Sequence, residues 1–129
     1  MFYFDCRILP SYRPKDVLDA VQELADQTAR TFGVEVTVQA VNEESSPPTP
    51  ADAPVVQEVI KAVQSARGLH SKPVGIGGGT VAGSLRKKGF PCAVWSTTEE
   101  SAHAANEYCR IANLAADAKV FAALMLQRP

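Results

Sequence analysis

The chain opens on a two-residue alternation. Phe2, Phe4, Cys6 and Ile8 fall on one side and Tyr3, Asp5 and Arg7 on the other, the pattern of a strand with one wet face. Leu9-Pro10-Ser11-Tyr12 breaks it, and the period then becomes helical. Pro14 suits a first turn. Val17, Leu18, Val21, Leu24, Ala25, Thr28 and Phe32 recur at intervals of three and four as one amphipathic stripe. Gly33 is a natural stop. Val34, Val36, Val38 and Ala40 then alternate with Glu35, Thr37 and Gln39. Residues 2–41 therefore read strand, helix, strand, and two strands are marginal as a sheet on their own.

Residues 42–54 are polar and hold four prolines, which marks a boundary or an extended crossing segment. A helix is expected from about Val55 to Ala66, with Val55, Val56, Val59, Ile60 and Val63 inward and Gly68 closing it. Residues 73–76 read as a short apolar strand. The Gly77-Gly78-Gly79-Thr80 turn leads into a short helix over residues 81–88, stopped by Gly89. Residues 90–95 are apolar on both faces, as in a buried parallel strand. Residues 96–112 read as a long loop. The last helix is expected to start near Asn113, a good cap residue, and to run through Leu114, Ala118, Phe121, Ala122 and Met125.

Composition narrows what this pattern can serve. At 129 residues the chain has single-domain length, and 46% apolar against 21% charged residues is globular composition. Thirteen basic and fourteen acidic residues leave a net charge of −1, so no basic field exists to hold nucleic acid. No apolar run approaches the roughly 18 residues of a membrane helix, and the start does not fit a signal peptide. Cys6, Cys92 and Cys109 are an odd, widely spaced set without a Cys-x-x-Cys, which reads as reduced thiols in a cytoplasmic protein.

Little of the candidate chemistry stands alone. Gly77-x-Gly79-x-x-Ala82, with Glu99 further on, fits a loose dinucleotide fingerprint, but one strand-helix-strand unit surrounds it, and a tight turn explains the glycines as well. The two histidines are His70, in a polar loop, and His103, in the long loop. Neither has the Cys or second His nearby that a closed zinc site needs. On the residues alone, both read as surface histidines.

Taken in order, the segments resemble a known family. FDCRILPSY with its following helix is similar to the lid, or dimerisation, domain of the cocatalytic zinc amidohydrolases and peptidases. These include succinyl-diaminopimelate desuccinylase, acetylornithine deacetylase, aminoacylase and glutamate carboxypeptidase. GIGGGTVAGSLRKKGFPCAVWST and AHAANEYCRIANLAADAKVFAALM resemble that family's C-terminal catalytic segment. The resemblance implies an α/β chain. Residues 1–45 would be the second half of a βαβ lid layer, and residues 46–129 the closing part of a zinc-peptidase catalytic domain.

It further implies an enzyme that hydrolyses the amide bond of N-acyl amino acids or small peptides with two zinc ions. His103 would be one metal ligand. Arg7 would reach the substrate carboxylate, a role for which its competitor is a surface charge paired with Asp5. Gly79 and Thr80 would face the substrate, and Asn106 and Glu107 would brace the His103 loop. Ala82 and Ser84 stand where some members have Asp and Arg, and Ala104-Ala105 interrupts a His-x-Pro-Asn-Glu pattern. The family's other ligands and its general base have no counterpart here. The expectation is thus a fragment that is inactive and zinc-free alone, forming a homodimer or segment-exchanged oligomer, with no nucleic-acid or membrane partner. A non-catalytic dimerisation or scaffold segment and a nucleotide-binding module are the competing readings.

Overall fold

A computed structural model describes residues 1–126. Four helices form along them: α1 (Pro14–Phe32), α2 (Pro54–Arg67), α3 (Val81–Lys87) and α4 (Ile111–Leu126). The punctuation is the one the sequence carries. Proline occupies the first turn of α1 and of α2, where its missing N–H costs no helical bond. Gly33 and Gly68 end these helices with left-handed backbone, at φ 65° and 67°. Their N–H groups donate to the carbonyls of Ala29 and Gln64, satisfying two of the groups a helix end leaves open.

Among the described residues no β-ladder forms. Residues 2–8, 34–40, 73–76 and 90–95 carry no regular secondary structure. Alternation decides which side chains share a face, but a strand also needs a second backbone in register. In one place a side chain takes that part. The Thr49 hydroxyl donates to the Cys92 carbonyl at 2.7 Å and accepts the Cys92 N–H at 3.1 Å, so both backbone groups of Cys92 are satisfied by one residue.

The chain divides into two compact units. One joins Met1–Pro48 with Gly75–Lys88, and the other joins Thr49–Val74 with the chain from Gly89 on. In the first, α1 buries only Ala25, while Val21, Leu24 and Phe32 of its apolar stripe are exposed.

The second unit holds the core. Helices α2 and α4 pack on each other through Ala62, Val63 and Val120, which are fully buried, with Val59, Ala66, Trp95, Ala123 and Leu124 against them. Helix α4 starts at Ile111 rather than near Asn113, and its inward face is not the one its large side chains suggest. Asn113, Ala116, Asp117, Val120, Ala123 and Leu124 turn inward, whereas Leu114, Phe121 and Met125 are exposed. The helix is apolar nearly all round, so periodicity does not choose a side. Asp117 chooses it: its partner Arg67 is on α2, and with that face inward Val120, Ala123 and Leu124 pack against Ala62 and Val63. With so few fully buried side chains, each matters. Val63→Ala removes two methyl groups and leaves a void, and should cost about 2 kcal/mol in denaturant unfolding, while Leu114→Ala on the exposed face should cost under about 0.5 kcal/mol.

Candidate functional site

Three residues expected to meet substrate lie in the first unit. The Arg7 guanidinium is bonded to Asp5, with Nε 2.8 Å from Oδ2, and both side chains are mostly exposed. The backbone of Arg7 lies against the glycine-rich turn. A Cβ built on Gly77 would sit 2.7 Å from the Arg7 carbonyl oxygen, and one on Gly75 would meet the Pro10 ring. Gly77 is therefore needed for close approach, which the dinucleotide reading would not require of it. Gly79 is exposed, with nothing within 4 Å of where a Cβ would stand. Thr80 is the N-cap of α3, in extended backbone, and its side chain makes no capping bond, so the hydroxyl is available. Its carbonyl accepts the Gly83 N–H at 2.9 Å. The structure thus brings the Arg7 backbone and the turn that carries Gly79 and Thr80 together.

The second unit carries His103 on a tightly turned loop. The Ala104 N–H donates to the Ser101 carbonyl at 2.9 Å, and the Glu107 N–H to the Ala104 carbonyl at 3.3 Å. His103 and Asn106 both have left-handed backbone, at φ 62° and 59°, and are the two described non-glycine residues that do. Asn is among the side chains that tolerate this region best. The His103 N–H donates to Glu107 Oε2 at 3.1 Å, and the His103 side chain is exposed. Glu107 therefore fixes the backbone at His103.

Two carboxylates hold this loop at its base, Asp117, which the sequence did not single out, and Glu99, which it offered only as the acid of a loose dinucleotide fingerprint. Asp117, on the inward face of α4, accepts the Thr97 N–H at 2.6 Å and the Thr97 hydroxyl at 2.7 Å. Arg67, the last residue of α2, donates to Asp117 Oδ1 at 3.2 Å and also bonds the Thr97 hydroxyl. Both charged side chains are largely buried. Burial pushes the Asp117 carboxyl up, but the Thr97 N–H and hydroxyl, the Arg67 charge and the nearby Trp95 indole outweigh it and hold the carboxyl below its ordinary range. The Trp95 N–H contributes by proximity, since it meets no hydrogen-bond partner. Glu99 is the second carboxylate. Its Oε1 accepts Arg110 Nε at 3.0 Å and Asn113 Nδ2 at 2.8 Å.

The sequence of residues 3–127 matches the family described as Peptidase family M20/M25/M40. The chain belongs to this peptidase family. It is 35% identical over 127 residues to an uncharacterized metallohydrolase of Methanocaldococcus jannaschii, and 33% identical over 131 residues to another of Methanococcus maripaludis. Each alignment covers 92% of this chain but 31% and 32% of the relative, so the chain spans about a third of the length of the curated relatives it matches. No solved structure matches it significantly.

A metal is the cofactor these names imply, and the residues present do not by themselves fit one. Among the described residues, no group of three or more His, Cys, Asp or Glu forms that could hold a metal ion. The Glu107 carboxylate beside His103 is engaged on backbone, and His70 lies in a surface groove with Ile60, Lys61 and Ser71. One imidazole is far short of the three or four protein ligands of a zinc site. No helix of the described residues is long and apolar enough to cross a membrane.

Two outcomes follow from this geometry. Gly77→Ala drives a methyl into the Arg7 carbonyl, backbone that cannot swing aside, and should destabilise the first unit by about 1–3 kcal/mol, seen as faster proteolysis around residues 5–10 and 75–80. The depressed Asp117 carboxyl gives stability that is complete above the ordinary carboxylate value near about pH 4 and is lost as pH falls through its lowered value. Asp117→Asn should lower stability at neutral pH and flatten this acid limb, measured by urea unfolding between pH 7 and pH 2.

Proposed function

We propose that this chain supplies the substrate-facing and ligand-bearing closing segment of a metal-dependent hydrolase that cleaves the amide of N-acyl amino acids or small peptides. The observation that carries the proposal is the loop of residues 101–108, which lies inside the matched family region. It presents His103 exposed, on left-handed backbone, with its N–H held by Glu107. An exposed imidazole on a constrained backbone is what a metal ligand donated to a site completed by other segments should look like.

In this reading zinc is the metal, and when bound it supplies Lewis acidity and an activated water. The chain's own residues bind and orient. Arg7 leaves an exposed pair with Asp5, which is worth about 1 kcal/mol or less, to receive a substrate carboxylate in a bidentate contact. The free Thr80 hydroxyl and the uncluttered Gly79 backbone line the approach to the reacting group. The alternating segments 2–8 and 34–40 become strands of an α/β lid layer once a neighbouring backbone pairs with them, and a symmetric dimer is one source of that neighbour. The non-catalytic scaffold reading keeps only the strand pairing and the dimer, and gives zinc and substrate no part.

The test compares the chain alone with a protein that also carries the remaining length represented in the relatives. The chain alone should hold no stoichiometric zinc after dialysis and should not turn over acetyl- or succinyl-amino acids. The longer protein should bind zinc and hydrolyse them, and His103→Ala in it should remove one metal and lower the rate by orders of magnitude. Zinc-dependent turnover by the chain alone, or full metal content and rate in the longer His103→Ala protein, would contradict the proposal.

A further inference from the structure

The loop that presents His103 enters from Thr97 and Glu99 and leaves through Arg110 and Asn113 into α4. Both ends are tied by carboxylates, but the two ties differ in reach. Asp117 joins α2, residue 97 and α4, and so belongs to the packing of the whole unit. Glu99 joins residue 99 to residues 110 and 113 and touches nothing else among the hydrogen bonds described. Its side chain is 17% exposed while that of Arg110 is 65% exposed, so the carboxylate is the fixed half of the pair and the arginine the half that reaches over it. A single oxygen, Oε1, receives both donors.

Closing the loop at this point shortens the segment that must hold itself in shape to residues 100–109. Within it, two non-glycine residues sit at positive φ, a conformation that costs energy and persists only where its surroundings over-determine it. The internal bonds of the loop are few: Ala104 to Ser101, Glu107 to Ala104, the Glu107 carboxylate on the His103 N–H, and a long bond from the Tyr108 N–H to the Ser101 hydroxyl at 3.5 Å. The tie at the base supplies the rest of the constraint.

We propose that Glu99 is a positioning residue for His103: by accepting Arg110 and Asn113 on one oxygen it clamps the loop base and holds His103 in its left-handed backbone pose. This rests on the reading of His103 as the functional residue of the loop. The requirement is for an acceptor oxygen in a fixed place, not for a charge, so Gln should serve where Ala cannot.

The experiment uses the chain itself, with nuclear magnetic resonance and amide hydrogen exchange. In the unchanged protein, His103 and Asn106 should show the strong intraresidue Hα–HN Overhauser effect of positive φ, and the His103 N–H should be protected. Glu99→Ala should abolish that signature at His103 and speed exchange of its N–H by about tenfold, the loss expected when a hydrogen bond is broken. Glu99→Gln should restore both, and Glu100→Ala, at an exposed neighbour, should change neither. If Glu99→Ala does not fold, Asn113→Ala and Arg110→Met remove the two donors separately and should each give part of the same change. An unaltered loop in Glu99→Ala, or in both donor variants, would overturn the proposal, as would a Glu99→Gln protein that behaves like Glu99→Ala. These outcomes are separate from zinc retention by the longer His103→Ala protein, which bears on the role of His103 and leaves the loop result intact.

Discussion

A carboxylate inside an apolar helix pair must be bonded on both oxygens or it costs more than the packing around it returns. Asp117 meets that demand with the Thr97 N–H, the Thr97 hydroxyl and the Arg67 guanidinium. The three groups come from two places, the end of α2 and the segment that follows Trp95, and they meet the carboxylate on the inward face of α4. Satisfying one charge therefore fixes the rotation of α4 about its axis, the point at which α2 ends beside it, and the level at which the chain leaves residue 97. The small core of Ala62, Val63 and Val120 could form with other rotations of an all-apolar α4, and the charge selects one.

What depends on that selection is the loop. From Thr97 the chain reaches Glu99, whose carboxylate ties it to Arg110 and Asn113, and the residues between are turned back on themselves with His103 and Asn106 at positive φ. The result is an exposed imidazole on a constrained backbone, in a chain whose described residues do not assemble a metal shell. Under the function proposed above, this loop would donate His103 to a metal site completed by other segments. In the other unit, Gly77 lets the chain run against the Arg7 carbonyl, and that contact places the Gly79-Thr80 turn beside the Arg7 segment.

How much of this the sequence showed depends on whether the signal was local. Pro14 with Gly33 and Pro54 with Gly68 mark α1 and α2 nearly to the residue, because caps act within one turn. The order of motifs pointed to His103, Arg7 and the glycine-rich turn through resemblance, while the residues alone left both histidines as surface groups. The face of α4 was not legible. Leu114, Phe121 and Met125 are larger than Ala116 and Ala123 yet face outward, and alanines stand on both faces, so side-chain size does not mark the packed side. Asp117 was missed, and Glu99 was read only as a possible ribose acid, for a related reason. An acid in an alanine-rich helix, or in a polar loop, reads as a solvated charge until its partners are known. Those partners lie 50 and 20 residues away for Asp117 and 11 and 14 for Glu99. The alternation at residues 2–8 and 34–40 states which side chains share a face, but it does not name the backbone that would pair with them.

The claim that one buried charge organises this unit is tested most directly by a double-mutant cycle between Arg67 and Asp117. Arg67→Met and Asp117→Leu would be made singly and together, and unfolding free energies measured in urea. Each single change leaves a largely buried group without its partner, whereas the double change replaces both with apolar side chains. The account predicts a coupling energy of about 1–3 kcal/mol, with the double variant still less stable than the unchanged protein because the Thr97 N–H and hydroxyl lose their acceptor. Additive losses, with coupling within about 0.5 kcal/mol of zero, would contradict it, because Arg67 and Asp117 would then not act as a pair across the two helices.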